Sequence, residues 1–122
     1  MKDCIFCKII NGEIPSKKVY EDDKLYVFLD LNQECPGHCL IVPKVHYINL
    51  CDIPTDLLNY VMQTAIKLYG FIEEKLNCDG MTLLQNNGCA QDIKHFHLHL
   101  LPKYISKPNL SIDEVYDMLT KK

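Results

Sequence analysis

Three of the chain's five histidines stand at every second position of the segment KHFHLHLLPK, residues 94 to 103. His95, His97 and His99 alternate there with Phe96, Leu98 and Leu100. Imidazole changes charge near neutrality and can act as metal ligand, proton carrier or nucleophile. In an extended chain alternate side chains point the same way, so the three rings share one face and the apolar residues the other. A row held in this way can bind a metal, clamp an anion, or present an acid, a base and a nucleophile in register. A polar strand face that is histidine by coincidence is a poor account of three in strict alternation.

The second chemically telling spacing is Cys4-x-x-Cys7. It admits two buried thiols on one helical turn, a redox pair, or half of a zinc site. A redox pair normally follows a strand and opens a helix, a context this segment does not offer. Zinc needs four ligands in a closed tetrahedron, and His46 with one member of the histidine row could supply the other two. The remaining cysteines, Cys35, Cys39, Cys51, Cys78 and Cys89, show no ligand spacing.

These residues need elements to hold them. CIFCKIIN, residues 4 to 11, has the makings of a short helix stopped by Gly12. Residues 19 to 21 and 24 to 31 read as a hairpin turning at Asp22-Asp23, and PGHCLIVPK holds a third strand after its Pro-Gly turn. From Asp56 to Asn77 the apolar residues Leu58, Val61, Met62, Ala65, Tyr69, Ile72 and Leu76 recur at helical intervals, with Thr55 or Asp56 to cap the start. MTLLQNNG and KHFHLHLLPK are the fourth and fifth strands. LSIDEVYDMLTKK closes as a helix with Ser111 and Glu114 in capping-box spacing. The expected fold is α+β: a five-stranded antiparallel sheet backed by one long helix, with short flanking helices.

At 122 residues, with ordinary apolar and charged content and no linker or repeat, one domain is expected. A net charge of −3 argues against a nucleic-acid or anionic-membrane partner. No apolar run approaches a membrane span, and MKDCIFCKII lacks a signal-peptide layout. Seven cysteines without such a signal are expected to be reduced thiols in the cytoplasm.

HFHLHLL matches the His-x-His-x-His-x-x signature of the histidine-triad (HIT) superfamily of nucleotide hydrolases and transferases, and the chain resembles that family over nearly its whole length. CIFCKIINGEIPSKKVYEDDKLYVFLDLNQECPGHCLIVPKVH looks like the N-terminal half of its Hint branch, as in the small bacterial-type HIT proteins. The resemblance implies a single HIT domain over residues 1–122, a homodimer whose protomers join their sheets, and nucleotidyl transfer through a covalent histidine intermediate. It makes His97 the nucleophile on the α-phosphorus, with His38, His95 and His99 completing the phosphate-side histidines. Asp30 matches the acid that binds the ribose hydroxyls. Phe6, Ile9, Ile14, Phe28 and Leu31 match the apolar wall of the purine pocket, and Asn86 and Gln91 match phosphate-contacting polar residues. Cys4, Cys7, His46 and His95 match the ligands of a structural zinc. The chain departs from the family in its shortened loop NNGCAQDIKH and in Asp92, which stands where the family usually carries Ser or Thr near the leaving group. It also lacks the Trp-containing tail of eukaryotic Hint proteins.

The implied activity is hydrolysis of purine nucleoside monophosphate derivatives, above all phosphoramidates such as AMP-amines, releasing AMP or GMP. Hydrolysis of dinucleoside polyphosphates such as diadenosine tetraphosphate is the alternative from the neighbouring Fhit branch. A nucleotide-binding regulatory protein with little turnover is the alternative of another class, although binding alone does not require a nucleophile.

Overall fold

In a computed structural model, residues 3–121 are described. Cys4 starts the first helix, α1 (Ile5–Ile10), by accepting the Cys7 amide on its sulfur at 3.4 Å. Gly12, at φ +81°, follows the last turn, a backbone region open to glycine at little cost. Strands β1 (Lys18–Glu21) and β2 (Leu25–Leu29) form the hairpin. Its turn is held by Asp22, whose carboxylate accepts the amides of Lys24 and Leu25, both at 2.8 Å.

Strand β3 (Cys39–Pro43) is followed by the long helix α2 (Thr55–Leu76), then β4 (Gly80–Leu84), a short 3-10 turn (Gly88–Ala90), β5 (Leu98–Lys103) and α3 (Ile112–Thr120). The five strands form one antiparallel sheet in the order β1-β2-β3-β5-β4. The fold is therefore the expected α+β arrangement. Ser111 and Glu114 form the expected capping box at the start of α3.

Three expectations need correction. The histidine segment becomes regular strand only at Leu98, because the chain before it is pinned outside the ladder, with the Phe96 amide donating to the Tyr47 carbonyl at 2.6 Å. Helix α2 has Pro54 at its cap position and no side-chain cap; Asp56 turns its carboxylate to the Leu57 amide instead. The buried stripe of α2 is Val61, Thr64, Ala65, Leu68, Ile72 and Leu76, while Met62 and Tyr69 are exposed. That stripe is rotated from the one read by side-chain type, because packing on the sheet decides the phase.

Alternation along the strands divides the interior in two. Leu25, Val27, Leu29, Cys39, Ile41, Leu98 and Leu100 face α2 and α3 and form one continuous apolar core. Phe28, Leu40 and Val42 face the other way and meet Cys4, Phe6 and Ile9 of the α1 region. Gly37, just before β3, sits at φ +96°, and an added Cβ would lie 2.7 Å from Leu76 and 2.9 Å from Pro102. No larger residue fits the turn that delivers His38 to the sheet.

Candidate active site and metal centre

The row crosses the α1 side of the sheet. His95 and His97 are buried, and His99 on β5 is half-buried opposite Leu40 of β3. Phe96 points the other way into the α2 core and anchors the segment from behind. Phe6 stands edge-on to His97, with ring centres 4.9 Å apart, and edge-on to His95 at 5.9 Å. Thus α1 brings an aromatic wall and two thiols to the same histidines.

Cys4, Cys7, His46 and His95 place one donor atom each within 4.8 Å of all the others. Nδ1 of His95 lies 3.3 Å from the Cys4 sulfur and 3.6 Å from the Cys7 sulfur, while Nδ1 of His46 lies 3.3 Å from Cys7. A tetrahedral zinc with ordinary Zn–S and Zn–N bonds would set sulfur and nitrogen about 3.6 Å apart, close to these three distances, so the donor set fits that ion. His95 Nε2–H donates to the Pro43 carbonyl at 2.8 Å, which leaves Nδ1 with the lone pair a metal needs. Burial and the neighbouring Cys4 push the Cys7 thiol up, so the Cys7 sulfur resists ionisation until a cation compensates it. Burial also lowers His95, to about 4, against the bond to Pro43, which keeps its ring neutral.

His97 is fixed differently. Its Nδ1–H donates to the carbonyl of His95 at 2.7 Å, so Nε2 carries the lone pair. Burial lowers its pKa, opposed by that carbonyl and by the carboxylates of Asp30 and Asp92. The ring is therefore neutral at pH 7, the state in which imidazole is a nucleophile.

A second network runs from β2 to β5. His38 Nδ1–H donates to the Asn32 carbonyl at 3.2 Å, so its Nε2 accepts from His99 Nδ1–H at 2.9 Å. Neutral His99 is left with a lone pair on Nε2, and burial with the nearby rings of His97 and His38 holds its pKa at about 4. It becomes a donor to phosphate oxygens only after taking up a proton. Asp30 places one carboxylate oxygen 3.6 Å from His38 Nε2 and accepts the Asn32 amide at 2.9 Å on the other.

Beside the row lies a cleft of about 320 Å³, lined among others by Phe6, Ile9, Ile14, Phe28, Asp30, Leu31, His97 and His99. Such a cavity is large enough for a small organic ligand. One end is apolar and the other carries imidazoles and carboxylates. Leu31 is 79% exposed and forms only the rim. His38 and His95 lie behind the lining. Asn86 and Gln91 are not among the residues lining this cleft. The Gln91 amide donates to the carbonyls of Ile48 and Ile93 at 2.7 and 3.3 Å, so it holds neighbouring loops together. Asp92 does reach the cleft wall.

Sequence reading missed Gln33, whose amide donates to the carbonyls of Asp30 and His38, both at 2.7 Å, and whose oxygen accepts the Gly37 amide at 3.0 Å. This one side chain ties together the loop that carries the acid and the fourth histidine. No spacing rule could have found it, because all its partners are backbone atoms. Ile5, Lys17 and Ile93 also line the cleft unannounced.

Comparisons with known proteins point to one family. The model of the HIT domain family matches residues 11–105. An uncharacterized HIT-like protein of Methanocaldococcus jannaschii is 45% identical over 104 residues, covering 83% of this chain and 79% of that protein. An adenosine 5'-monophosphoramidase of Saccharomyces cerevisiae is 42% identical over 111 residues, covering 89% of this chain and 68% of the yeast protein. Among solved structures, a zinc-bound histidine triad family protein from Mycobacterium smegmatis superposes with a TM-score of 0.89 at 28% identity, covering 97% of this chain and 91% of that one.

Proposed function

Since the chain belongs to the HIT domain family, we propose that it is a nucleotide hydrolase and nucleotidyl transferase acting at the α-phosphate of purine nucleoside monophosphate derivatives, with AMP-amines as its preferred class. The observation that carries this reading is His97, a buried neutral imidazole with Nδ1–H on a carbonyl and a lone pair on Nε2. It shares a cleft with Asp30 and an apolar wall.

In the first step Nε2 of His97 forms a bond to the α-phosphorus as the phosphorus–nitrogen bond to the leaving amine breaks. The amine takes a proton from solvent as it departs, since His97 and His99 enter the step neutral. The positive charge that develops on the ring is stabilised by its Nδ1–H bond to the His95 carbonyl. In the second step water attacks the nucleotidyl-histidine, AMP leaves, and His97 returns to its neutral form. His99, with a free lone pair, is suited to take the proton of that water, and once protonated it donates to the phosphate oxygens. Asp30 accepts the two ribose hydroxyls and so selects ribonucleotides. Phe6, Ile9, Ile14 and Phe28 enclose the purine.

Zinc is the ion proposed for Cys4, Cys7, His46 and His95, where it would cross-link α1 to the histidine row and leave no open ligand position. A second copy of the chain is proposed along β4, an edge strand with Leu83 and Leu84 exposed. A cytoplasmic location is proposed with the family reading. Separately, no helix among the described residues is long and apolar enough to cross a membrane.

The reaction is tested by quenching the protein in alkaline denaturant, which preserves a phosphorus–histidine bond, during turnover of an AMP-amine and mapping the adduct by mass spectrometry. An adenylyl group on His97 is expected. Turnover with no such adduct, or with the adduct on another residue, would overturn the mechanism. Rates on an AMP-amine and on diadenosine tetraphosphate, measured side by side, separate the preferred substrate from its competitor. Nucleotide binding without turnover of either would instead support a regulatory protein.

A further inference from the structure

The Asp30–His38–His99 network has a second chemical capacity. One carboxylate oxygen of Asp30, Nε2 of His38 and Nδ1 of His99 all lie within 4.8 Å of one another. Two of the edges are 2.9 Å between the two ring nitrogens and 3.6 Å from His38 to Asp30. Two ligand atoms about 2.0–2.1 Å from a tetrahedral zinc are about 3.3 Å apart, and the observed edges bracket that value. The donors stand on neighbouring parts of the sheet, at the end of β2, just before β3 and on β5, so the backbone need not move to close on an ion. His38 is already oriented by the Asn32 carbonyl, with its Nε2 lone pair turned inward. Asp30 is braced by the Asn32 amide and frees its other oxygen for the histidines. This is the outer support that ligands of a metal site normally have.

We propose that Asp30, His38 and His99 form a second divalent-metal site, separate from the Cys4–Cys7–His46–His95 group, at which a transition-metal ion competes with nucleotide. Two imidazoles and one carboxylate favour zinc, cobalt or nickel over magnesium or calcium. Only the hydrogen-bond proton between His38 and His99 must be displaced, with His99 changing tautomer to give its Nδ1 lone pair to the metal. Three protein donors leave a fourth position toward the cleft that Asp30 and His99 line. On the proposed nucleotide reading, the same ion engages the ribose acceptor and the phosphate-side imidazole together. Excess metal would therefore inhibit by exclusion, while the thiolate-containing group stays loaded.

Cobalt(II) titrated into the protein as isolated tests this directly. The expected result is one equivalent with visible d–d bands and no thiolate charge-transfer absorption, additional to any equivalent that shows it. Asp30→Asn and His99→Gln should each weaken that equivalent by more than about tenfold. Their melting temperatures and the thiolate-bound equivalent, which should be retained, control for folding. Saturating AMP should lower the apparent cobalt affinity by at least about tenfold, by mass action. The site is refuted by the absence of a thiolate-free equivalent, or by its persistence in both folded variants. It is also refuted as a competing site by an affinity that AMP saturation leaves unchanged. AMP binding to the metal-untreated protein is measured separately, so the nucleotide reading and the metal site can fail independently.

Discussion

Leu25, Val27 and Leu29 of β2 turn toward α2, while Tyr26 and Phe28, their neighbours in sequence, turn toward α1. The same division runs through β3 and β5, yet the two faces are stabilised differently. The α2 face is a broad apolar core closed by a 22-residue helix. The α1 face has a six-residue helix, a small apolar cluster and a row of imidazoles, each held by a carbonyl, a thiol or another ring. Among the described residues no buried side-chain nitrogen or oxygen lacks a hydrogen-bond partner. Polar side chains are therefore buried at low cost on this face, because their buried atoms are hydrogen-bonded. The free Nε2 lone pairs of His97 and His99 are left available in the cleft that these two rings line. The α2 face supplies the apolar core, and the imidazole face carries the proposed reactivity.

Substitutions should separate these two contributions. The largest effect is expected at His97→Ala, which should reduce AMP-amine hydrolysis by about 10⁴-fold or more, by analogy with loss of other covalent nucleophiles. AMP binding, followed by calorimetry, should survive. Wild-type turnover in this variant would remove the basis for assigning reactivity to this face. The counterpart is Ile72→Ala, at a fully buried position under the sheet. It should cost about 2–5 kcal/mol in denaturant unfolding while sparing turnover of the remaining folded protein.

The third effect is intermediate and tests how the faces are joined. Cys7→Ala removes a ligand from the Cys/His group, so metal content at that group should fall. Amide exchange in α1 should rise, whereas α2 amides keep their protection. KM for nucleotide should rise as well, because Phe6 rides on the same helix and packs against His97. Equal loss of protection in both helices would show that the two faces unfold together.

The imidazole face was legible early because its signal is a spacing. Three histidines at alternate positions need only the two-residue period of an extended chain, and that period holds even where His95 and His97 precede the regular strand. The capping box of α3 was legible for the same local reason. What escaped depends on contacts between distant segments. Met62 and Tyr69 are as apolar as their buried neighbours, but the sheet takes Thr64 and Leu68 instead. Gln33 and Asn32 shape the site through backbone bonds that no residue pattern encodes. The convergence of Cys4 and Cys7 on His46 and His95 was readable as donor types, and only the folded chain shows that their atoms meet.

The smallest expected effect lies at the hairpin end of the α2 face and depends on pH. Burial pushes the Asp22 carboxyl up, but hydrogen bonds from Tyr60, Tyr20 and the amides of Lys24 and Leu25 together outweigh it and hold the pKa at about 2. Tyr60 belongs to α2 and bonds to Asp22 at 2.5 Å, so this carboxylate fastens the long helix to the β1–β2 turn. An unfolded aspartate titrates near about 3.9. The folded form binds its proton less readily, so the stabilisation is complete above about pH 4 and is lost as pH falls toward 2. Allowing for partial exposure, it is on the order of 1 kcal/mol. Urea unfolding of wild type and Asp22→Asn should therefore differ by that amount at pH 6 and converge near pH 2. An undiminished difference at low pH would mean that the carboxylate's charge does not secure the helix, and that Asn fails there for reasons of turn geometry alone.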